Sequence, residues 1–240
     1  MSKPANRYRI GIDVGGTNTD AVVMENRVVV GFGKRATTGD VTGGVVDALS
    51  GALTETGIDP AAVGAVMIGT THFVNAVIQR RFLTRVAVLR LCGPATHSLP
   101  PMVDWPPDLR DVVSGYVALL PGGVEYDGQP LVELDEAAIR AACAEIRALG
   151  LTSVAISSVF SPVTAAHEER AAEIVAEELP DAAISLSHKI GRLGLLEREN
   201  ATIMNACLRE LGARTLAAFR QAMTDLGLKC PLYLAQNDGT

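Results

Sequence analysis

The sequence predicts an α/β protein, and two observations point to that class. Three short apolar segments follow one another at the start of the chain, which is typical of an antiparallel meander of three strands. After them, strand-like apolar segments alternate with longer segments whose apolar residues recur every three or four positions, as on one face of a helix. No internal repeat or low-complexity tract interrupts the alternation. We therefore expect a mixed sheet with flanking helices.

The predicted meander consists of Tyr8–Val14, Ala21–Met24 and Arg27–Lys34. The first strand alternates apolar and polar residues, so one of its faces is expected to be buried. A tight turn at Glu25 and Asn26 joins the second strand to the third.

The next elements have helical and strand patterns in turn. Apolar residues recur at helical spacing over Asp40–Thr56, and either Asp40 or Thr42 can cap that helix. Strands are predicted at Val63–Gly69 and Val86–Leu91, with a helix at Thr71–Arg81 between them.

A proline-rich segment, Leu99–Leu109, interrupts this order. Its four prolines predict the absence of regular structure, and it contains Trp105, the one tryptophan of the chain. A packed surface loop is favoured there over an active-site lid. The alternation then resumes. The predicted elements are short strands around Val117 and Val124 followed by a turn at Asp127-Gly128, a helix at Glu136–Leu149, a strand at Ser153–Phe160, a helix at Thr164–Glu178, a strand at Ala183–Ser187, a helix at Leu195–Leu226 and a strand at Leu232–Ala235.

The composition excludes several classes of protein. A net charge of -6 and the absence of a Lys/Arg cluster argue against a nucleic-acid binder. The polar start of the chain does not resemble a signal peptide, and no apolar run reaches the roughly 18 residues of a membrane span. The cysteines and histidines are scattered without metal-ligand spacing, so we expect reduced thiols in a cytoplasmic enzyme.

The segment IGIDVGGTNTD, residues 10–20, carries most of the functional signal. It is not a Walker loop, and it is not a Rossmann fingerprint, because a strand and not a helix resumes at Thr19. A hairpin with Gly15 and Gly16 at its tip can present backbone N–H groups to a phosphate, and Thr17 and Thr19 can add hydroxyl donors. Asp13 would repel a bare phosphate, which favours a Mg²⁺ between them, usually bound through water. A plain hairpin is the structural alternative, and the acid two residues before the glycine pair argues against it.

Two further groups of residues are candidates for a site. Thr70, Thr71, His72 and Asn75 lie where a strand ends and the next helix begins, a place suited to an anionic group. A threonine there could equally be a helix cap, and His72 is more simply a surface or core histidine. His188 is the third candidate. An ordinary ion pair, within the helix or between domains, explains Glu197-Arg198, which follow it, without chemistry.

The segment GIDVGGTNTDAVV resembles the first phosphate loop of the superfamily that contains acetate and sugar kinases, heat-shock ATPases and actin. Within it the hydantoinase/5-oxoprolinase family is the most similar, with its usual D-x-G-G-T-x-T-D. Three later segments resemble the same family in the expected order: GTTHFVNAVIQRR, SLSHKIGRLGLLERENATIMNA and LYLAQNDG. The sequence departs from the family at Asn18, where an aromatic is common, at His72-Phe73, where small residues are common, and in a shorter spacing after His188.

The resemblance implies a ribonuclease H-like, actin-like ATPase lobe that uses ATP and Mg²⁺ to open a cyclic amide such as a hydantoin or 5-oxoproline. Asp13 and Asp20 would be the catalytic acids, with Asp13 organising the metal. Gly15, Gly16, Thr17, Asn18 and Thr19 would hold the nucleotide phosphates, and Thr70, Thr71, His72 and Asn75 the substrate or a phosphate. A second, hydantoinase B-type subunit and an oligomer are expected.

The resemblance also implies a division of the chain. Residues 1–185 would form the family's amino-terminal domain, and residues 186–240 the start of the next, hydantoinase A-type domain. No second glycine loop follows an acid-ended strand, so we expect the chain to be the amino-terminal part of a longer subunit and inactive alone. A subunit of an ATP-dependent ketone carboxylase remains an alternative. A non-catalytic, sugar-kinase-like sensor is a more distant one, because no basic DNA-binding segment precedes the first strand.

Overall fold

The computed structural model describes residues 7–15, 17–36 and 41–235, without the side chains of residues 41–43. In chain order the elements are β1 (Tyr8–Val14), β2 (Asn18–Glu25), β3 (Val28–Ala36), α1 (Val41–Thr56), β4 (Val63–Thr70), α2 (His72–Gln79), β5 (Val86–Leu91), α3 (Pro107–Val113), β6 (Ser114–Leu120), α4 (Glu136–Ala148), β7 (Ser153–Ser158), α5 (Ala166–Glu178), β8 (Ala183–Leu186), α6 (Leu195–Asp225) and β9 (Leu232–Leu234). Short 3₁₀ helices cover Pro60–Ala62 and Ser187–Lys189. The predicted α/β class is confirmed.

The chain forms two compact units. One consists of Met1–Gln79 with Leu211–Thr240, and the other of Arg80–Glu210. Helix α6 therefore contributes its first part to the second unit and its last part to the first.

The described strands of the first unit form a sheet of order β3-β2-β1-β4-β9. Strand β2 is antiparallel to both β1 and β3, while β1 is parallel to β4 and β4 to β9. This arrangement confirms the antiparallel meander and the mixed sheet, and its strand order is that of the ribonuclease H-like fold.

The core of the first unit lies on one face of its sheet. Ile10, Ile12 and Val14 point into it from alternate positions of β1, as the sequence pattern predicts. Apolar residues of α1 and of the last part of α6 cover them. A Cβ on Gly33 would lie only 2.7 Å from the carbonyl oxygen of Ala48, so this glycine lets α1 pack directly on the backbone of β3.

The second unit contains a parallel sheet of order β6-β5-β7-β8. Strands β5 and β7 are buried along their whole length, which fits the largely apolar sequence of β5 and the small or apolar residues of β7. Apolar residues of α4 and α5 pack on this sheet. All cysteines of the chain are free thiols, as expected, and Cys92, Cys143 and Cys207 are buried.

Two sequence predictions are wrong. The proline-rich segment is not irregular to its end, because α3 begins at Pro107, and a proline is tolerated at a helix's first position, where its missing N–H has no partner. Val124 lies in no strand and makes only an isolated bridge with Pro130. The positive φ angles of Gly122 and Gly123, 143° and 89°, interrupt the extended backbone before it. The rest of the proline-rich segment packs as a loop in which Met102 is buried.

Two predicted features lie outside the described residues. Asp40, one of the proposed caps of α1, is outside them, as is the side chain of the other, Thr42. Residues 236–239 of the family-like segment LYLAQNDG are outside them as well.

Candidate functional site

The glycine segment after β1 is a hairpin, as predicted. The N–H of Gly15 donates to the carbonyl of Asn18 over 3.0 Å. A Cβ on Gly15 would lie 2.9 Å from that same oxygen, so the turn requires glycine there. The N–H of Gly15 is hydrogen-bonded within the turn. Gly15 can therefore help to bind a ligand by leaving open the space that a side chain would fill. Gly16 lies outside the described residues, and its contact with a phosphate stays a prediction.

A row of charged residues crosses the end of the meander next to this hairpin. Asp13 of β1 is the register partner of Asp20 of β2, and Asp20 is the register partner of Lys34 of β3. Directly opposed residues of neighbouring strands share a face of the sheet, so the two carboxylates lie side by side. Lys34 Nζ is 3.2 Å from Asp20 Oδ1. Asp13 is exposed, on the sheet face opposite the core.

The polar residues that follow the hairpin tip differ in exposure. Thr17 is exposed and Asn18 is half-buried, so their side chains can reach a ligand. Thr19 is fully buried, because it lies on the core face of β2 with Ala21 and Val23. In this conformation its hydroxyl is not at the surface of the site.

The second predicted group lies at the same edge of the sheet. Strands β1 and β4 are parallel, and their last residues, Val14 and Thr70, are register partners. Gly69 is the partner of Asp13, and a Cβ on Gly69 would lie 4.0 Å from Asp13 Oδ1. The structure thus brings together the end of β1, the hairpin and the start of α2.

Thr70 and Thr71 have different contacts. Thr70 Oγ1 accepts the N–H of His72, the first residue of α2, over 3.0 Å and donates to the carbonyl of Val14 over 3.3 Å, so the Thr70 hydroxyl caps the first N–H of the helix. Thr71 is exposed, and its Oγ1 accepts a hydrogen bond from Asn75 Nδ2 over 3.3 Å. Thr71 and Asn75 therefore present a hydroxyl and an amide to solvent beside Asp13's strand.

His72 is half-buried at the start of α2, and its ring meets Phe73 edge to face with centroids 6.3 Å apart. Burial lowers the pKa of His72 below its usual 6.5, so the imidazole is neutral near pH 7.

The third candidate, His188, belongs to a buried polar network in the second unit. Its Nδ1 lies 2.7 Å from Oε2 of the fully buried Glu168, whose other oxygen accepts from Ser187 Oγ. Arg198, also buried, donates from Nε to Ser187 Oγ over 2.8 Å and to the carbonyls of the loop before α6. The predicted Glu197–Arg198 ion pair is wrong: within the described part of the chain, Arg198 contacts those groups instead.

A second buried pair lies in the same unit and was missed from the sequence. Arg90 of β5 donates from Nε to Glu199 Oε1 over 2.9 Å and from Nη2 to Glu199 Oε2, and Ser157 Oγ donates to Glu199 Oε1 over 2.6 Å. The signal for it was an arginine inside the apolar run VAVLRL. Because these groups are inaccessible and mutually satisfied, they hold α6 on the second sheet.

The donors beside the hairpin fit Mg²⁺ chemically. Mg²⁺ prefers oxygen ligands and retains most of its water, and Asp13 and Asp20 offer adjacent carboxylates outside the core. No cluster of three or more His, Cys, Asp or Glu residues arranged for a metal occurs among the described residues, so a metal here would be held largely by water and a ligand's phosphates.

None of the described helices is long and apolar enough to span a membrane.

The strand order of the first unit and its acid-ended β1 running into a glycine hairpin define a ribonuclease H-like lobe of the actin-like ATPase class. Residues 9–179 match the hydantoinase/oxoprolinase N-terminal region, and the chain belongs to that family.

The chain is similar to a caprolactamase in both sequence and structure. It is 29% identical over 257 aligned residues to caprolactamase subunit alpha from Pseudomonas jessenii, a match that takes in 100% of this chain and 36% of that protein. The crystal structure of the ATP-dependent caprolactamase from Pseudomonas jessenii matches 95% of this chain and 35% of its own with a TM-score of 0.77 and 26% identity.

Nucleotide-free acetone carboxylase, from work on ATP-dependent acetone carboxylation, matches 92% of this chain and 35% of its own with a TM-score of 0.75. At 21% identity that likeness concerns the fold alone. The chain spans little more than a third of the length of the caprolactamase subunit, 36%.

Proposed function

We propose that this chain is the nucleotide-binding, amino-terminal part of an ATP-dependent enzyme subunit that opens a cyclic amide. The observation that carries the proposal is the position of Asp13, at the end of β1, between the Gly15 hairpin and the exposed Thr71–Asn75 pair of α2. The similarity to an ATP-dependent caprolactamase supports it. A hydantoin, 5-oxoproline or a similar lactam would be the substrate.

The chemistry suits an unreactive amide. Transfer of the γ-phosphoryl group of ATP to the lactam carbonyl oxygen would release ADP and make the ring carbon electrophilic. Water would then add to that carbon, and the ring C–N bond would break as the nitrogen takes up a proton and leaves as an amine. A second water would release inorganic phosphate from the acyl phosphate that remains. In such transfers the protein chiefly positions the groups and neutralises charge. When bound, Mg²⁺ would supply charge neutralisation on the phosphates.

Each residue at the sheet edge has a proposed part in this step. Asp13 holds the hydrated metal, and Asp20 positions a water or the metal's hydration shell. Gly15 leaves space for a phosphate beside the backbone, Gly16 would offer its backbone N–H to that phosphate, and Thr17 and Asn18 donate to it. The buried Thr19 supports the hairpin and reaches a phosphate only if β2 shifts. Thr70 caps α2, His72 lines the start of that helix, and Thr71 and Asn75 bind the substrate or a phosphate.

The larger assembly is also part of the proposal. The similarity to a protein called a subunit alpha supports a second subunit. We propose that this is a hydantoinase B-type subunit and that the subunits form an oligomer in the cytoplasm. We propose that residues 1–185 are the family's amino-terminal domain and that residues 186–240 begin the following one. The family match, which ends at residue 179, is compatible with that boundary.

Replacement of Asp13 tests the proposal. In the full-length protein, Asp13→Ala should lower ATP turnover by about 10²-fold or more, because a preorganised charge-handling group is lost. The melting temperature should stay unchanged, since Asp13 is exposed. Asp104→Ala, which removes an exposed aspartate of the second unit, is the matched control and should retain full turnover. Wild-type turnover by a folded Asp13→Ala protein would contradict the assignment.

An ATP-dependent ketone carboxylase is the second candidate function, supported by the shared fold of acetone carboxylase. A panel of lactams and ketones, assayed for ATP cleavage with and without bicarbonate, separates the two. Turnover that requires a lactam and ignores bicarbonate supports ring opening. Turnover that requires a ketone and bicarbonate supports carboxylation. Nucleotide binding without turnover on any substrate would support the sensor.

A further inference from the structure

Lys34 is a charged residue beside the candidate site, and it lies outside the glycine motif. It lies on β3, opposite Asp20 and one strand further from Asp13, on the same face of the sheet as both carboxylates. The next residue, Arg35, points to the other face, where its Nη2 lies 2.8 Å from the place of a Cβ on Gly51 of α1. Strand alternation therefore directs Lys34, and not Arg35, toward the row that holds the two aspartates.

The negative charges at this row of residues favour a cation nearby. Asp13 and Asp20 place two negative charges side by side at the hairpin, and a triphosphate would add several more. Lys34 makes the one ion pair to either aspartate that occurs within the described residues. Its flexible four-carbon stem allows the ammonium to move from a carboxylate to a phosphate oxygen.

The existing ion pair would be given up at little cost. The Lys34 side chain is 58% exposed and that of Asp20 is 46% exposed. Exposed pairs of this kind contribute little to stability, because water screens them. A bound phosphate, which carries more charge, would compete with Asp20 for the ammonium. Asp20 would then be free to face a metal bound beside Asp13.

We propose that Lys34 is a nucleotide-binding residue that exchanges Asp20 for a β- or γ-phosphate oxygen when Mg-ATP binds. This inference rests on the proposed function, because it needs a nucleotide at the Asp13 hairpin. Lys34 would thereby add a phosphate contact from β3 to the contacts proposed for residues of β1, the hairpin and α2.

Calorimetric titration of the full-length protein with Mg-ATP tests the contact. Lys34→Met should raise the dissociation constant about tenfold or more, the loss expected for one charge-assisted hydrogen bond, and Lys34→Arg should recover part of it. Lys229→Met is the matched control, since Lys229 is exposed in the same unit and precedes β9, away from the strand ends that meet at the hairpin. It should bind Mg-ATP like the wild type, and thermal unfolding should show all three variants folded.

The Asp20→Asn background separates a direct contact from an indirect one. If Lys34 contacts phosphate, Lys34→Met should weaken binding by at least the same factor in that background. If the effect disappears there, Lys34 acts only through Asp20 and the inference is wrong. Unchanged binding by Lys34→Met, with binding lost in Asp13→Ala, would refute the role of Lys34 and leave the proposed function intact. Absence of Mg-ATP binding by the wild type would refute the proposed function itself.

Discussion

The buried Arg90–Glu199 pair makes a sharp prediction about the stability of the second unit. Arg90→Met removes the guanidinium that donates twice to Glu199, whose side chain is 1% exposed. Glu199 would keep the hydroxyl of Ser157 as a donor, but its negative charge would have no buried counter-charge. Breaking a buried pair from one side typically costs about 3–5 kcal/mol. Since whole domains are stable by about 5–15 kcal/mol, a loss of this size should be conspicuous.

The double replacement Arg90→Met/Glu199→Leu should recover much of this loss. Removing both charges leaves apolar side chains of similar size, and such replacements are often neutral or even stabilising. The exposed control is Arg140→Met. Arg140 pairs with Glu177 and Glu178 but is itself 40% exposed, so its removal should lower the free energy of unfolding far less than Arg90→Met does.

Guanidinium unfolding followed by Trp105 fluorescence measures these changes. Trp105 is the only tryptophan of the chain and belongs to the second unit, so its signal reports on the unit that contains Arg90. The free energy of unfolding follows from linear extrapolation. A loss below about 1 kcal/mol for Arg90→Met, or a double variant less stable than either single one, would refute the reasoning.

Two further predictions concern the first unit, and a third concerns residues 1–240 as a whole. Thr70→Ala should cost about 1 kcal/mol of stability because Thr70 caps α2, whereas Thr71→Ala should leave the melting temperature unchanged and lower kcat/KM; unchanged kcat/KM would remove Thr71 from the site. Burial lowers the pKa of His72 in the folded state, so the unfolded state binds the proton more readily: stability should fall as pH drops through 6.5 and level off below the folded pKa, and His72→Asn should flatten that part of a melting-temperature profile. Residues 1–240 alone, which span 36% of the caprolactamase subunit, should fold but bind Mg-ATP weakly and release no phosphate; micromolar binding with turnover would show a complete site.

Local pattern was sufficient to predict most of the fold. Strands β1 and β5 begin and end at the predicted residues, because alternation in the first and a continuous apolar run in the second are unambiguous. Helix α6 begins at the predicted residue and ends one residue from the predicted end. The strand predicted near Val124 failed because two glycines with positive φ decide the backbone there, and an apolar residue alone does not make a strand.

The candidate site was predictable where a short motif or the topology of the sheet places its residues. Asp13 and Gly15 lie in one motif, and the carboxyl ends of parallel strands meet at one edge, which brought Thr71 to the same place. The motif could not show that the hydroxyl of Thr19 faces the core, because this depends on the register of β2. Nor could it separate Thr70, the cap, from its exposed neighbour.

Long-range charge pairing is where sequence reasoning reached its limit, and the two examples differ in kind. Arg90 and Glu199 are 109 residues apart in sequence. Without the other, each would be an unpaired charge in apolar surroundings. Such a pair must persist, since either charge alone is costly to bury. Lys34 and Asp20 are paired at the surface, where separation costs little. The fold therefore fixes its buried charges permanently and leaves the surface pair beside the hairpin free to exchange, which is what a site that binds and releases a polyanion requires.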